Sequence, residues 1–262
     1  MKMHSLDLIR GRKSNMKTLT KYTLPVMSLF LCSCNKDEAF SPSNTGSKVL
    51  VSIQLPTSLE MLPLRAMYRS DICHKEQVNG VGGSYEEPGF KVMKIALKNE
   101  VEEKGHNLSI PMDGGGECEW KLSNITFSFQ SVLVNGVSDK IPVSEVVIFD
   151  GNIPQRVSGS YQDVNGDLDL TGDYFPMITT YHINGYKRVE SIVRSTPDKM
   201  YRMHGGRNVF FHPEFHPSKT IYALEPKEHK TGQYMSITYP DGTTESSPNF
   251  PDYKKIQSLI FD

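Results

Sequence analysis

Trp120-Lys-Leu-Ser-Asn-Ile-Thr-Phe-Ser-Phe129 is the stretch on which the fold turns. Trp120 and Leu122 stand two apart, as do Ile125, Phe127 and Phe129, and a period of two belongs to a strand with one buried face. The parity shifts between the two runs, which predicts a bulge near Ser123-Asn124. Outward from here, residues 49–55 run apolar up to Pro56, residues 90–95 alternate strictly and residues 145–149 are compactly apolar. Further strands are expected at 168–170, 186–193, 209–211, 220–224 and 234–239. Asn135-Gly136, Asn165-Gly166, Asn184-Gly185 and Asp241-Gly242 separate many of them, and such dipeptides favour the positive φ angles of tight hairpins. Helical periodicity is clearest at the end, where Tyr253, Ile256, Leu259 and Ile260 share a face behind Asp252 as N-cap. Residues 100–105 suit one helical turn. Many short strands and one terminal helix predict a mainly β fold: an antiparallel β-sandwich or barrel-like domain over residues 48–262 with a short C-terminal helix. A break into two lobes near 151–160 is the alternative to one domain.

The 262 residues are 37% hydrophobic and 23% charged, with a formal net charge of −1. That is too apolar for a disordered chain and too balanced for a nucleic-acid binder. No stretch reaches the roughly 18–20 apolar residues a spanning helix needs, which excludes a multi-pass helical membrane protein. Residues 22–31 (Tyr-Thr-Leu-Pro-Val-Met-Ser-Leu-Phe-Leu) form a short apolar run behind Lys17 and Lys21, the layout of a secretory signal. The run ends in Leu31-Cys32-Ser33-Cys34, which resembles the lipobox of bacterial lipoproteins. That resemblance implies cleavage after Ser33 and acylation of Cys34. Residues 1–33 are therefore expected to be a signal peptide. Met16-Lys17-Thr18-Leu19 is a more natural start than Met1, so residues 1–15 read as an extension ahead of the true start. Residues 34–47 are expected to be a lipidated, flexible tether.

Six bases and one acid fall within residues 1–33, leaving 23 Lys and Arg against 29 Asp and Glu downstream, a net of −6. An acidic domain gains nothing from phosphate backbones or anionic headgroups and suits a basic partner. With Cys32 removed and Cys34 acylated, Cys73 and Cys118 remain. In an exported chain they are expected to form a disulfide. Closing a loop of that length stabilises by about 4 kcal/mol on chain-entropy grounds.

Four groups invite chemistry. His212-Pro213-Glu214-Phe215-His216 puts two His and a Glu on one side of an extended strand, but Pro213 and Pro217 exclude the helix of an H-E-x-x-H site; a polar strand edge is the preferred reading. Asp163-Val-Asn-Gly-Asp-Leu-Asp169 resembles half a calcium loop, yet Leu168 and Tyr174 stand where an EF-hand needs Gly and Glu, so a hairpin at Asn165-Gly166 is preferred. Asp113-Gly-Gly-Gly-Glu117 lacks the Lys-Ser/Thr of a phosphate loop and reads as a flexible turn beside Cys118. Arg188, Arg194, Arg202 and Arg207 mix with Tyr186, Tyr201, Phe210 and Phe211 as interfaces do, and as sheet faces do. No G-x-S-x-G elbow is present, and Glu86-Glu87 and Glu102-Glu103 are adjacent acids that face different ways in a strand. No catalytic residue, metal or cofactor is assigned.

Residues 110–127 (Ile-Pro-Met-Asp-Gly-Gly-Gly-Glu-Cys-Glu-Trp-Lys-Leu-Ser-Asn-Ile-Thr-Phe), Val146-Val-Ile-Phe-Asp150, Tyr174-Phe-Pro176 with Gly185-Tyr186, and Tyr239-Pro-Asp-Gly242 leading to Lys255-Ile-Gln-Ser-Leu259 are, with Cys73, similar to a family of enterobacterial lipoproteins. Members of that family resemble, in gene setting and tandem copies, immunity lipoproteins that accompany phospholipase toxins of type VI secretion. The resemblance spans roughly residues 68–260 and implies a non-enzymatic lipoprotein that binds a protein partner. Asn35, in place of Asp after Cys34, implies sorting to the outer membrane, facing the periplasm. Lys36-Asp37-Glu38 resembles the tag that Bacteroidota use for surface export, which implies the rival role of a surface-exposed structural or adhesive lipoprotein. A hydrolase is the least favoured reading.

Overall fold

The computed structural model describes residues 38–97, 105–132, 137, 139–149, 160–182, 185–197, 200–228, 230–247 and 252–261. Its strands are β1 (Lys48–Gln54), β2 (Leu59–Met61), β3 (Leu64–Val78), β4 (Ser84–Ile95), β5 (Gly105–Pro111), β6 (Asp113–Gly115), β7 (Trp120–Ser131), β8 (Asp139–Ile141) and β9 (Val143–Phe149). They continue as β10 (Tyr161–Leu170), β11 (Asp173–Tyr181), β12 (Lys187–Arg194), β13 (Met200–Phe211), β14 (Glu214–Phe215), β15 (Ile221–Leu224), β16 (Met235–Thr238) and β17 (Thr244–Ser247), followed by the helix α1 (Tyr253–Ser258).

β7 organises the first sheet. Trp120, Leu122, Ile125, Phe127 and Phe129 are all fully buried, and the expected bulge is present: the register with β3 passes from Met67–Asn124 to Tyr68–Leu122, skipping Ser123. Phe127 stacks on Phe211 at 5.1 Å and Phe129 meets Tyr174 edge-on at 5.1 Å, arrangements that add to plain area burial. The sheet runs β4-β3-β7-β9-β13-β1-β5, with β2 and β6 beside β7 and β10 beside β13. The second sheet runs β17-β16-β15-β11-β12-β8, with β14 beside β11.

The mainly β fold and its terminal helix are as expected, but the sheets are mixed rather than purely antiparallel, and they curl into a half-barrel. β13 lies parallel to β1, β9 and β10, and β11 lies parallel to β14 and β15. Parallel pairs are joined by crossovers instead of hairpins, so no local turn signal announces them. The hairpin expected at Asn165-Gly166 is corrected for this reason. β10 runs straight through these residues beside β13, with only an irregularity between Gly166 and Leu168. The Asp241-Gly242 hairpin between β16 and β17 is present, and Gly185 lies in the link between the antiparallel β11 and β12. Asn135-Gly136, Asn184, residues 100–104 and the 151–159 segment lie outside the described residues.

The second sheet has a core on each face. Along β12, Ile192 joins the first core with Tyr174, while Val193 joins a smaller core with Phe175, Ile221 and Ile237, the alternation of a strand buried on both sides. Ile256 and Leu259 of the α1 segment close this second core. Asp252 caps α1 by accepting from the Lys254 and Lys255 amides, and Lys255 Nζ bonds Asp241 Oδ2 at 2.5 Å.

Candidate functional site

The first notable surface is where the chain enters the fold. Residues 38–41, expected to be part of a free tether, are docked. Phe40 lies edge-on to Tyr68 at 4.9 Å and 6.0 Å from Trp120, and the Ser41 amide donates to the Gly114 carbonyl at 2.9 Å. The Glu38 carbonyl accepts from Trp120 Nε1 at 3.1 Å and from Lys91 Nζ. The glycine run is the floor of this strap, not a flexible turn. A Cβ on Gly115 would stand 2.2 Å from the Ser41 oxygen, and one on Gly116 would stand 2.3 Å from the Ala39 oxygen. Only a backbone without side chains lets the strap lie this close. Tyr68 beneath it bonds the Pro111 carbonyl at 2.8 Å, and burial pushes its hydroxyl up to about 12.

Beside the strap a two-stranded ribbon leaves the sheet. β7 pairs with β3 only over Arg65–Arg69, whereas β3 and β4 stay paired to Val78–Ser84. The register skips residues 71–73, between Ser70 and His74, and three contacts fix this point. Cys73 and Cys118 form the expected disulfide, with a Cα–Cα distance of 5.3 Å. The buried Ser70 hydroxyl donates to the Cys118 carbonyl and accepts from the Ile72 and Cys73 amides. Gly89 allows the Cys73 carbonyl to approach, since a Cβ there would stand 2.2 Å from that oxygen. At the far end Asn79 Oδ1 accepts from the amides of Val81 and Gly83. Val78 and Val81 are 72% and 92% exposed, and Tyr85 is 45% exposed. Along the shaft Glu76 stands directly opposite Glu86, and Lys75 opposite Glu87.

A polar cluster lies buried between the sheets. Arg194 Nη1 of β12 bonds both carboxylate oxygens of Glu145 on β9, at 3.1 and 3.0 Å. Tyr174 donates to the same carboxylate at 2.7 Å, and Arg194 Nη2 donates to the Tyr201 hydroxyl. Burial disfavours the Arg194 charge, but Glu145 and the two tyrosines outweigh it and raise its pKa; burial likewise raises Tyr174 and Tyr201. Four residues earlier on β12, Glu190 is also buried, and neither of its carboxylate oxygens has a hydrogen-bond partner among the described residues.

The remaining expected groups are dispersed. His212 Nε2 faces Thr171 Oγ1 at 2.9 Å and Asp169 at 3.1 Å, whereas His216 bonds Asp173 at 2.8 Å and stacks on Phe175 at 4.7 Å. Each histidine thus serves a different aspartate and Glu214 is exposed, so the five residues do not converge. Asp163 holds Arg202 and His204, and those hydrogen bonds lower its carboxyl to about 2. Asp167 accepts from the Asn208 side chain and the Arg207 and Asn208 amides, which lowers its pKa. No group of three or more metal-ligating side chains exists among the described residues. The Arg and aromatic residues do not form one patch: Arg194, Tyr201 and Phe211 are buried, while Tyr186 and Phe210 are exposed. Cys34, with residues 1–37, and Glu102-Glu103 lie outside the described residues. The strap and the ribbon lie where the sequence pattern predicts no packed element. Gly114–Gly116 and the neutral run 77–85 were the signals present in the chain.

No family of proteins, curated protein or solved structure matches this chain.

Proposed function

We propose that this chain is an exported lipoprotein, acylated at Cys34 and held at the outer membrane facing the periplasm, whose β domain binds a protein partner without catalysis. The partner is a periplasmic phospholipase-type toxin, and the chain is its immunity protein. The observation that carries this reading is the Cys73–Cys118 disulfide, which belongs to an oxidising compartment and so agrees with the lipobox at Cys34. The docked strap adds to it. Glu38 is fixed on Trp120 and Lys91, four residues after Cys34, a span of at most about 14 Å. A lipid on Cys34 therefore keeps the domain beside the bilayer, where a toxin that attacks phospholipids must work, and raises the local concentration of inhibitor there. Several acyl chains on one cysteine suffice for a firm hold. The net −6 downstream of the leader favours rapid capture of a basic protein.

Intact mass of the membrane-extracted protein tests the first step. It is expected to begin at Cys34 and to carry acyl mass, and Cys34→Ala is expected to leave the membrane fraction. An unprocessed chain in the cell interior overturns the reading. Deletion is then expected to sensitise cells to a toxin-delivering neighbour, and unchanged survival against each co-encoded effector rejects the immunity role. Digestion of the domain by protease on intact cells would instead favour the surface-exposed structural or adhesive role.

A further inference from the structure

We infer that the outer face of the first sheet holds a saccharide site, a cavity beside the Phe210 ring that takes a neutral sugar chain. This goes beyond the partner-binding reading above and does not depend on it. The register brings four strands into one row there. Asn107 of β5 stands opposite Ser52 of β1, Ser52 opposite Phe210 of β13, and Phe210 opposite Asp169 of β10. Laterally paired residues share a face of a sheet, and this one is turned away from the core: Ile53, Phe211 and Leu170, next along their strands, belong to the first core. Phe210 is 44% exposed, and Leu50, two residues before Ser52 and so on the same face, is 51% exposed. A cavity of about 370 Å³ opens here, lined chiefly by Ser52, Gln54, Gly105, Asn107, Phe210 and His212. Ligand pockets run upward from about 300 Å³.

The lining decides the class of ligand. Among the described residues no Lys, Arg, Asp or Glu lines the cavity, so a phosphate, a carboxylate or an ammonium finds no counter-charge. Hydroxyl, amide and imidazole groups supply most of its side chains, which does not suit an acyl chain. It offers one exposed aromatic face with donors and acceptors around it. The face of an aromatic ring is electron-rich and attracts the polarised C–H groups on the flat side of a sugar ring. The sugar hydroxyls then point outward, where Asn107, Gln54 and Ser52 both donate and accept. Two of the walls are set in advance. The Ser52 hydroxyl donates to Asn107 Oδ1 at 2.8 Å, which leaves the amide hydrogens of Asn107 for a ligand. His212 Nε2 lies 2.9 Å from Thr171 Oγ1 and 3.1 Å from Asp169, and Thr171 donates to Asp169 at 2.7 Å. Little ordering therefore opposes binding. Gly105 adds no side chain to the space, and Leu50 extends the apolar floor toward a second sugar, which favours a chain of sugars over a single one.

Isothermal titration of the full chain, in a detergent without a sugar headgroup, tests this with two neutral probes. The tetramer of N-acetylglucosamine stands for acetylated amino-sugar chains such as cell-wall glycan, and maltotetraose stands for plain glucans. Saturable binding of at least one, at one site per chain, is expected, and the tighter of the two names the source. Phe210→Ala and Gly105→Leu are each expected to weaken it by about tenfold or more. Tyr222→Ala, which removes an exposed aromatic of the second sheet, is expected to leave it unchanged. A Cβ on Gly105 meets only the Ile53 carbonyl, at 3.5 Å, so the fold accepts Gly105→Leu while the added side chain fills the cavity. Phe210 lies outside both cores, and both variants should keep the parent's melting transition. No saturable binding of either probe overturns the inference, as does binding that survives either substitution or falls equally with Tyr222→Ala. The survival assay for the immunity role reads a different surface event, so failure of either reading leaves the other standing.

Discussion

Arg194 and Glu190 sit four positions apart on β12, both buried, and opposite outcomes are expected when each is made apolar. Arg194 is answered by the Glu145 carboxylate and the Tyr201 hydroxyl. Removing one partner of a buried pair leaves the other charge stranded, which typically costs about 3–5 kcal/mol. Arg194→Met should therefore lower stability by that order, and the double substitution with Glu145→Gln should recover part of the loss. Among the described residues Glu190 has no partner for either carboxylate oxygen. An unsatisfied buried polar group costs about 1–3 kcal/mol, so Glu190→Met is expected to stabilise by that order. Denaturant unfolding of the three variants beside the parent checks both signs. A loss in Glu190→Met would mean that its carboxylate is answered after all, and a neutral Arg194→Met would mean that the pair contributes no more than an exposed one.

Among the elements, the strap gives the most direct readout, because Trp120 is the only tryptophan in the chain and lies against Phe40. Phe40→Ala removes the ring that covers it and loosens the hold on the Glu38 carbonyl. Trp120 emission should shift to longer wavelength, and cleavage ahead of Ser41 by a protease should quicken, while the disulfide stays intact. An unshifted spectrum would place residues 38–41 off the body in solution. The strap also shows which parts of the fold were legible. β7 is legible by its alternation down to the bulge, β9 by its compact apolar run, and α1 by one apolar face behind its Asp252 cap. β3 is harder to read, although Leu64, Ala66 and Tyr68 alternate with Arg65, Met67 and Arg69, because its second half is mostly polar on both faces and dissolves the period. The strap was hidden for another reason. Ser, Asn and Gly in residues 41–47 carry the composition of a linker, and the contact depends on a glycine slot more than seventy residues away. The paired Cys73 and Cys118 were legible as a disulfide, but the ribbon that they clamp was not, since its meaning lies in what fails to pair with it.

On the scale of the whole molecule, two cores share one sheet, and acid is expected to separate them. The second core is closed by the α1 segment, which Lys255 ties to Asp241 and whose Leu259 carbonyl accepts from Lys219 Nζ. The Lys255 bond, with help from Thr243, lowers the Asp241 carboxyl to about 2, from an ordinary value of 3.8. A carboxyl whose folded pKa is depressed stabilises fully above its unfolded value and loses that contribution as pH falls through the folded one. The latch is therefore whole above about pH 4 and gone near pH 2. Asp163, lowered to about 2 by Arg202 and His204, follows the same window on the first sheet, but it closes no core. Melting of the parent against Asp241→Asn from pH 7 to pH 2 isolates the helix latch: the parent should melt higher by a constant margin down to about pH 4, and the margin should vanish by about pH 2. Asp163→Asn run alongside should show a gap that closes over the same range without early loss of the helical signal. A margin for Asp241→Asn that survives at pH 2, or that is absent at pH 7, would show that the second core is held by the packing of Ile256 and Leu259 and the Lys219 bond to the Leu259 carbonyl, without help from Asp241. The helix would then be a lid kept by packing and that bond, with no acid-sensitive tie to the sheet beneath it.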